Sequence, residues 1–369
     1  MAVYLTLTVV TLLLASFIRN RDYVQLNSEH LRPAYMERQR ALNICMAVAI
    51  FLLLTGVSAC RIAVGNDYWV YRFQFNLIMQ ERHVSYEFGF NLVVWLIQTL
   101  LGYDNYIPVF AFFSVATCYF FVKAMYDRAE DFAFTLFLLL TGGYYFNSLN
   151  SVRYYLVLAI ALYAMKYVLR REYIRFVLWI ILASLFHKSV LLVIPAYLAA
   201  VYLADHKLKK WHYILGGLLI ASLIFGQGFY REIIFTFYPY YRDSVFDVSQ
   251  LSWVNIGKCA AVLALCLVNW RTGLAVNREI RFGFYLNLAA LVGFFCGSFI
   301  PEVSRVCYYL IISQIFLIPA VISRMKDSWF KKLCRIGVIA AFTFYFAMLL
   351  KGMYAVNIRL LPYLNWIFN

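Results

Sequence analysis

The sequence predicts an all-α polytopic integral membrane protein with about twelve transmembrane or re-entrant helices. Three observations carry this. Hydrophobic residues make up 64% of the chain and charged residues only 14%, too apolar a balance for a soluble domain. The apolar runs are continuous, and many approach the ~20 residues that a ~30 Å hydrocarbon core demands, whereas a transmembrane β-barrel needs short alternating segments. Lysines and arginines recur in short clusters between those runs, as in cytoplasmic loops. The net charge of +15 therefore reads as a record of topology, and no nucleic-acid partner is expected. No segment reads as a soluble appendage, so residues 1–369 are taken as one membrane domain.

Residues 3–17 lack a basic leader and a cleavage site, and read as a retained first helix. The following segment carries Arg19, Arg21, Arg32, Arg38 and Arg40 and belongs inside, which puts the N-terminus outside. Residues 41–59 return the chain to the outer face and release a polar loop, 61–86. Inside positions follow for Lys166, Arg170, Arg171 and Arg175, for Lys207, Lys209 and Lys210, for Arg271, Arg278 and Arg281, and for the cluster from Arg324 to Arg335. Because residues 170–175 and 207–210 are both inside, the run between them goes out and back, turning near His187 and Lys188. Three candidate helices, 87–101, 106–123 and 132–146, fill a stretch that admits only an even number of full spans. The shortest, 87–101, is expected to be re-entrant or interfacial. Residues 213–229, 254–269, 282–299, 303–322 and 337–350 then alternate across the bilayer.

With that topology the outer face is the chemically rich one. It collects Arg61, Asp67, Glu81, Arg82 and Glu87 from the first loop, Asn147, Asn150 and Arg153 from the next turn, and His187, Lys188 and Ser189 from the hairpin. Loop 230–252 adds Arg231, Glu232, Tyr240, Tyr241, Arg242 and Asp247, and a later turn adds Glu302 and Arg305. A charge at the centre of a bilayer helix costs about 2.5–3.5 kcal/mol, so Arg153, His187 and Lys188 are expected near an interface or beside a wet cavity. The histidines His30, His83, His187, His206 and His212 are scattered without metal-ligand spacing, and no nucleotide or haem motif is visible. Neither metal nor cofactor is expected. The eight cysteines show no CxxC and read as packing residues.

Several short motifs recur in order along the chain. They are Arg61-x3-Gly65-x-Asp67-Tyr68-x2-Tyr71, Glu87-Phe88-Gly89-Phe90, Asn150-x2-Arg153, Leu185-Phe186-His187-Lys188-Ser189 before Ile194-Pro195, and Arg305-x2-Tyr308-Tyr309. Together they resemble the EpsG/Wzy-like family of bacterial polysaccharide polymerases, which build O-antigen, capsule or exopolysaccharide. One departure is Tyr154, where many relatives are expected to carry glutamine. The resemblance implies a multi-pass enzyme of the bacterial inner membrane, with a helical core similar to the GT-C superfamily. Its substrate would be an oligosaccharide repeat unit on undecaprenyl diphosphate, polymerised at the outer face, and its partners would be membrane lipid, a chain-length regulator and a flippase.

Departure of a diphosphate without a metal calls for arginine, whose planar fork binds phosphate oxygens in pairs. Arg153 and Arg305 are the first choices, with Arg61 and Arg242 behind them. The bland alternatives are a helix-end arginine snorkelling to the interface for Arg153 and pairing with Glu302 for Arg305. An acceptor hydroxyl needs a base, for which His187, Asp67 and Glu87 are the candidates. Asp67 and Glu87 are equally placed to be helix caps. Tyr240 and Tyr241 offer flat faces to a sugar, or form part of an interfacial tyrosine belt. Asn150 and Tyr308 join the substrate-binding set through the motifs. A flippase for the same lipid-linked sugars, a membrane acyltransferase and a polysaccharide ligase are the rival readings.

Overall fold

A computed structural model describes residues 1–19, 33–80, 84, 86–102, 105–244, 247, 249–355 and 358–367, with the side chains of 33–36 and 240 outside that set. The protein is an all-α polytopic membrane protein, with no strand among the described residues. Among the described residues seven helices are long and apolar enough to cross a membrane, an eighth if one sharply bent pair is a single span, and five shorter apolar helices accompany them. Arg21, Arg32, Glu81, Arg82, His30 and His83 lie outside the described residues.

Two compact units are present, Met1–Leu191 with Lys332–Asn369, and Leu192–Lys331. In the first, α1 (Ala2–Ala15) packs on α2 (Pro33–Ala59), which begins eight residues earlier than the apolar run alone suggests. The first outer loop contains a helix, α3 (Asp67–Met79), and leads to α4 (Phe88–Leu101), which at 14 residues is short for a span. Next comes α5 (Ile107–Arg128), then α6 (Phe132–Thr141) and the single turn α7 (Tyr144–Ser148). The expected continuous helix 132–146 is thus broken at Gly142 and Gly143, where Gly143 adopts φ +82°, closed to most side chains.

The axis of this unit is α8 (Val152–Leu169), 89% buried. Nearly every side of it is apolar, as a helix enclosed by other helices requires. It packs between α5 and α9 (Tyr173–Ser184). At the C-terminal ends of α5 and α8, Asp127 accepts from Lys123 at 2.6 Å and from Lys166 at 2.7 Å, tying the two helices together. Helix α9 ends at Ser184, and after His187 the chain enters a 3-10 segment, Lys188–Leu192.

The second unit starts with α10 (Val193–Asp205), followed by α11 (Lys210–Phe225) and α12 (Gln227–Phe237). The last two are bent by 78° at Gly226, where a single straight helix was expected. Then follow α13 (Trp253–Val268), a π-turn at Trp270–Leu274, α14 (Arg278–Cys296), α15 (Val303–Ile311), α16 (Gln314–Ser323) and the first residues of α17 (Ser328–Gly352), which from Lys332 on belongs to the first unit. Helix α14 is the hub, packed on α10, α13, α15 and α16. Asn277 caps it by accepting from the Ile280 N–H at 3.0 Å. Within the apolar core Asn287 takes a 2.6 Å hydrogen bond from Gln314 and donates to the Cys259 carbonyl at 2.9 Å, so its amide is satisfied on both sides.

Candidate functional site

The candidate site lies in the first unit, where α3, α4, α8 and the turn after α9 meet. Asn66 occupies the N-cap position of α3 and Glu87 that of α4, but among the described residues neither side chain caps its helix. The carboxylates of Asp67 and Glu87 are directed elsewhere, so the capping alternative fails for both. Asp67 Oδ2 accepts from the Ser151 hydroxyl at 2.6 Å, and the Asp67 N–H donates to Asn150 Oδ1 at 2.9 Å. Glu87 Oε2 forms an ion pair with Arg153 Nη1, and its Oε1 accepts from the Lys188 N–H at 3.1 Å. One carboxylate therefore joins the start of α8 to the turn that carries His187.

Two glycines make this convergence sterically feasible. Gly65 has φ +92°, and a Cβ there would lie 2.9 Å from both Cα and Oδ1 of Asn150. Gly89 donates its N–H to the Leu185 carbonyl at 2.8 Å, and a Cβ there would lie 2.8 Å from Leu185 Cβ. Both positions belong to the motifs read in the sequence.

Arg153 is held on several sides. Its guanidinium lies 3.5 Å from the Tyr86 ring centroid and 5.2 Å from that of Phe90, a stacked geometry suited to a planar cation. Tyr71 bonds to it as well; burial pushes the Tyr71 phenol up to about 12, with the Arg153 cation pulling the other way. Its Nε is buried without a hydrogen-bond partner among the described residues. His187 Nδ1 faces the Ser189 hydroxyl at 2.9 Å, and its ring meets that of Tyr154 edge-on at 5.8 Å. The side chains of Asp67, Glu87, Asn150, Arg153 and His187 are half-buried, sheltered yet reachable.

Arg61 sits differently, 2% exposed at the foot of the same loop. It donates to the Ser58 carbonyl and, at 3.0 Å, to Ser114 Oγ, and lies 5.2 Å from the Phe110 ring centroid. Burial lowers its pKa from the ordinary guanidinium value, opposed by the neighbouring phenols of Tyr4, Tyr145 and Tyr68. Its Nε and Nη2 have no hydrogen-bond partner among the described residues.

The remaining candidates belong to the second unit. Arg305 pairs with Glu302 at 2.9 Å, the i,i+3 contact anticipated as its alternative. Arg242 pairs with Glu232, and both are exposed. Tyr241 packs against Tyr238 at 5.9 Å between ring centroids, and Tyr308 against Phe294 at 6.5 Å. Tyr240 is the middle residue of the 3-10 turn Pro239–Tyr241, with its side chain outside the described set. Residues that the sequence reading gave no role are Tyr71, Tyr86 and Ser151. Tyr71 stood in a motif; Tyr86 and Ser151 gave no signal beyond adjacency to Glu87 and Asn150.

The ion-paired, half-buried polar cluster is thus built from four separate segments of a polytopic helical membrane protein. The family model described as the EpsG family matches residues 44–365, and the chain belongs to that family. It is accordingly a polysaccharide-polymerase-like membrane protein. No curated protein and no solved structure matches the chain.

Proposed function

We propose that the protein is a membrane glycosyltransferase that polymerises oligosaccharide repeat units carried on undecaprenyl diphosphate, at the outer face of the bacterial inner membrane. The observation that supports this most directly is the Arg153–Glu87 pair abutting the turn of His187, with Asp67 and Asn150 on the adjoining loop. The non-reducing-end hydroxyl of one lipid-linked unit attacks the anomeric carbon of the growing chain. A glycosidic C–O bond forms as the bond to the diphosphate oxygen breaks, and undecaprenyl diphosphate leaves with that electron pair.

Arg153 carries the charge of the departing diphosphate in this reading. Its ion pair and aromatic stack fix the fork in place, so little ordering is left for the moment of transfer. His187 takes the hydroxyl proton as the general base, its ring oriented by the Ser189 hydroxyl at Nδ1. Asp67 and Glu87 are the carboxylates that orient the acceptor and the turn, and Asn150 holds the loop they share. Arg61 contributes positive charge from beneath that loop. Arg242, Arg305, Tyr240, Tyr241 and Tyr308 are proposed as further phosphate and sugar contacts, and a chain-length regulator and a flippase as partners.

Purified protein incubated with a synthetic polyprenyl-diphosphate oligosaccharide tests this. A ladder of longer lipid-linked products is expected. Movement of the substrate across vesicles without any ladder would overturn the reading in favour of a flippase.

A further inference from the structure

In the second unit an open cleft of about 460 Å³ lies where α13 ends and α17 begins. Its walls come from residues 267–272 on one side and from 325–327 with Phe330 on the other. Here the chain leaves apolar helix for polar connection on both sides, which places the cleft at the depth of the lipid headgroups. The π-turn, closed by the Ala275 N–H donating to the Trp270 carbonyl at 2.8 Å, sets Trp270 and Arg271 side by side on the rim. Turns of π geometry are rare and are frequently found at functional sites.

The charges of the cleft are unequal. Arg271 and Lys326 line it, and neither side chain has an ion pair or hydrogen bond among the described residues. The one carboxylate, Asp327, uses Oδ1 to accept from the Trp329 N–H at 2.8 Å and the Phe330 N–H at 3.3 Å, capping α17. Around these cations stand apolar groups left open to the surroundings, with Val268 67%, Trp270 52% and Phe330 37% exposed. Cations inside an apolar rim match a molecule that is anionic at its head and apolar below it. Anionic lipids of the inner leaflet gather at such basic pockets between helices.

We infer that this cleft binds the phosphate headgroup of an anionic glycerophospholipid, with Arg271 and Lys326 on the phosphate and Trp270 and Val268 along the upper acyl chains. The site is independent of the sugar-transfer chemistry proposed above. It ties the π-turn and the start of α17 to the membrane surface.

Native mass spectrometry of the full chain, purified in detergent and titrated with phosphatidylglycerol or phosphatidylcholine, tests the assignment. Wild-type protein is expected to retain phosphatidylglycerol in preference to phosphatidylcholine, and R271Q/K326Q to lose that preference by at least about fivefold. R271K/K326R, which keeps both charges, is expected to retain it. Removing two exposed cations of the same unit elsewhere, K207Q/K210Q, is expected to change it little. An equal loss in both neutralised variants would mean general surface charge, and would overturn the inference. So would unchanged retention in R271Q/K326Q, or displacement of the lipid by equimolar inorganic phosphate, which would mark a site for soluble anions.

Discussion

The Asp67 N–H donates to Asn150 Oδ1 at 2.9 Å, so the loop that follows one apolar helix is fastened to the turn that opens another. The same turn returns the contact, with Ser151 donating to Asp67 Oδ2 at 2.6 Å. Asn150→Ala should cost about 1 kcal/mol, the usual net worth of one such bond. Its larger effect should fall on activity, because Asp67 then loses one of its two anchors on that turn. A small drop in melting temperature with a strongly reduced ladder is the expected pair of readings; an undiminished ladder would remove the anchor from the mechanism.

At Arg153 the requirements of stability and chemistry separate. The pair with Glu87 is sheltered, with side-chain exposures of 14% and 12%. Breaking it with Arg153→Ala should destabilise by up to about 3 kcal/mol, the lower end for sheltered ion pairs, and abolish the ladder. Arg153→Lys keeps the charge and the pair, yet an ammonium cannot at once stack on Tyr86 and present a fork to phosphate. That variant should melt near wild type and polymerise at least about tenfold more slowly. A wild-type rate in the lysine variant would reduce Arg153 to a structural cation.

His187 should act on turnover more than on binding. His187→Gln is expected to lower kcat by about 10²–10⁴, with KM nearly unchanged, as for loss of a general base. Ser189→Ala removes the hydroxyl 2.9 Å from Nδ1 and should cost less, about tenfold. Initial rates at saturating lipid-linked substrate make the comparison. Equal kcat in His187→Gln and wild type would leave the imidazole without a proton to move.

Gly89 gives a steric test of the same turn. A Cβ there would lie 2.8 Å from Leu185 Cβ and 2.9 Å from its carbonyl oxygen, so α4 and the turn must part. Gly89→Ala should cost about 1–3 kcal/mol, as overpacking usually does, and pull the Lys188 N–H away from Glu87. Hydrogen exchange at residues 185–190 should rise along with the loss of activity. Wild-type exchange there would show that the approach is not tight.

What was legible in the sequence follows from what is local. Helix positions could be read because an apolar run is a property of neighbouring residues, and the break between α9 and α10 because the polar run from His187 to Ser189 interrupts apolar sequence. The motifs pointed to Asp67, Glu87, Asn150, Arg153 and His187, which the fold brings together within one unit. Arg61 was harder. It follows an apolar helix and reads as exposed, but its burial depends on Ser114, 53 positions away on α5. The break at Gly142 and the bend at Gly226 were hidden because apolar composition runs straight through both. Tyr86 takes its place from Arg153, 67 positions later, which no local pattern encodes.

Least legible of all was the part played by residues 358–366. Their backbone forms no regular element, yet it is hydrogen-bonded along the whole loop that leads to Asp67. The Ile62 N–H donates to the Leu364 carbonyl at 3.0 Å, Gly65 to Arg359 at 2.8 Å, Asn66 to Ile358 at 3.1 Å, and Trp366 to Cys60 at 3.0 Å. Tyr4 and Tyr363 add side-chain bonds to the Leu360 and Val57 carbonyls, at 2.8 and 2.9 Å, so the segment is tied to α1 and α2 as well. At about 1 kcal/mol each, these bonds hold the loop by several kcal/mol and keep Gly65 in the conformation that lets Asn150 approach. Trp366→Pro removes one donor and should reduce the ladder partially. Replacing residues 358–366 by a glycine-serine stretch of equal length should leave the protein inserted, with its other helices protected from exchange, while amides 62–67 open and polymerisation stops. A full ladder with open amides would show that the loop needs no such strap, and that Asn150 and Ser151 suffice to place Asp67.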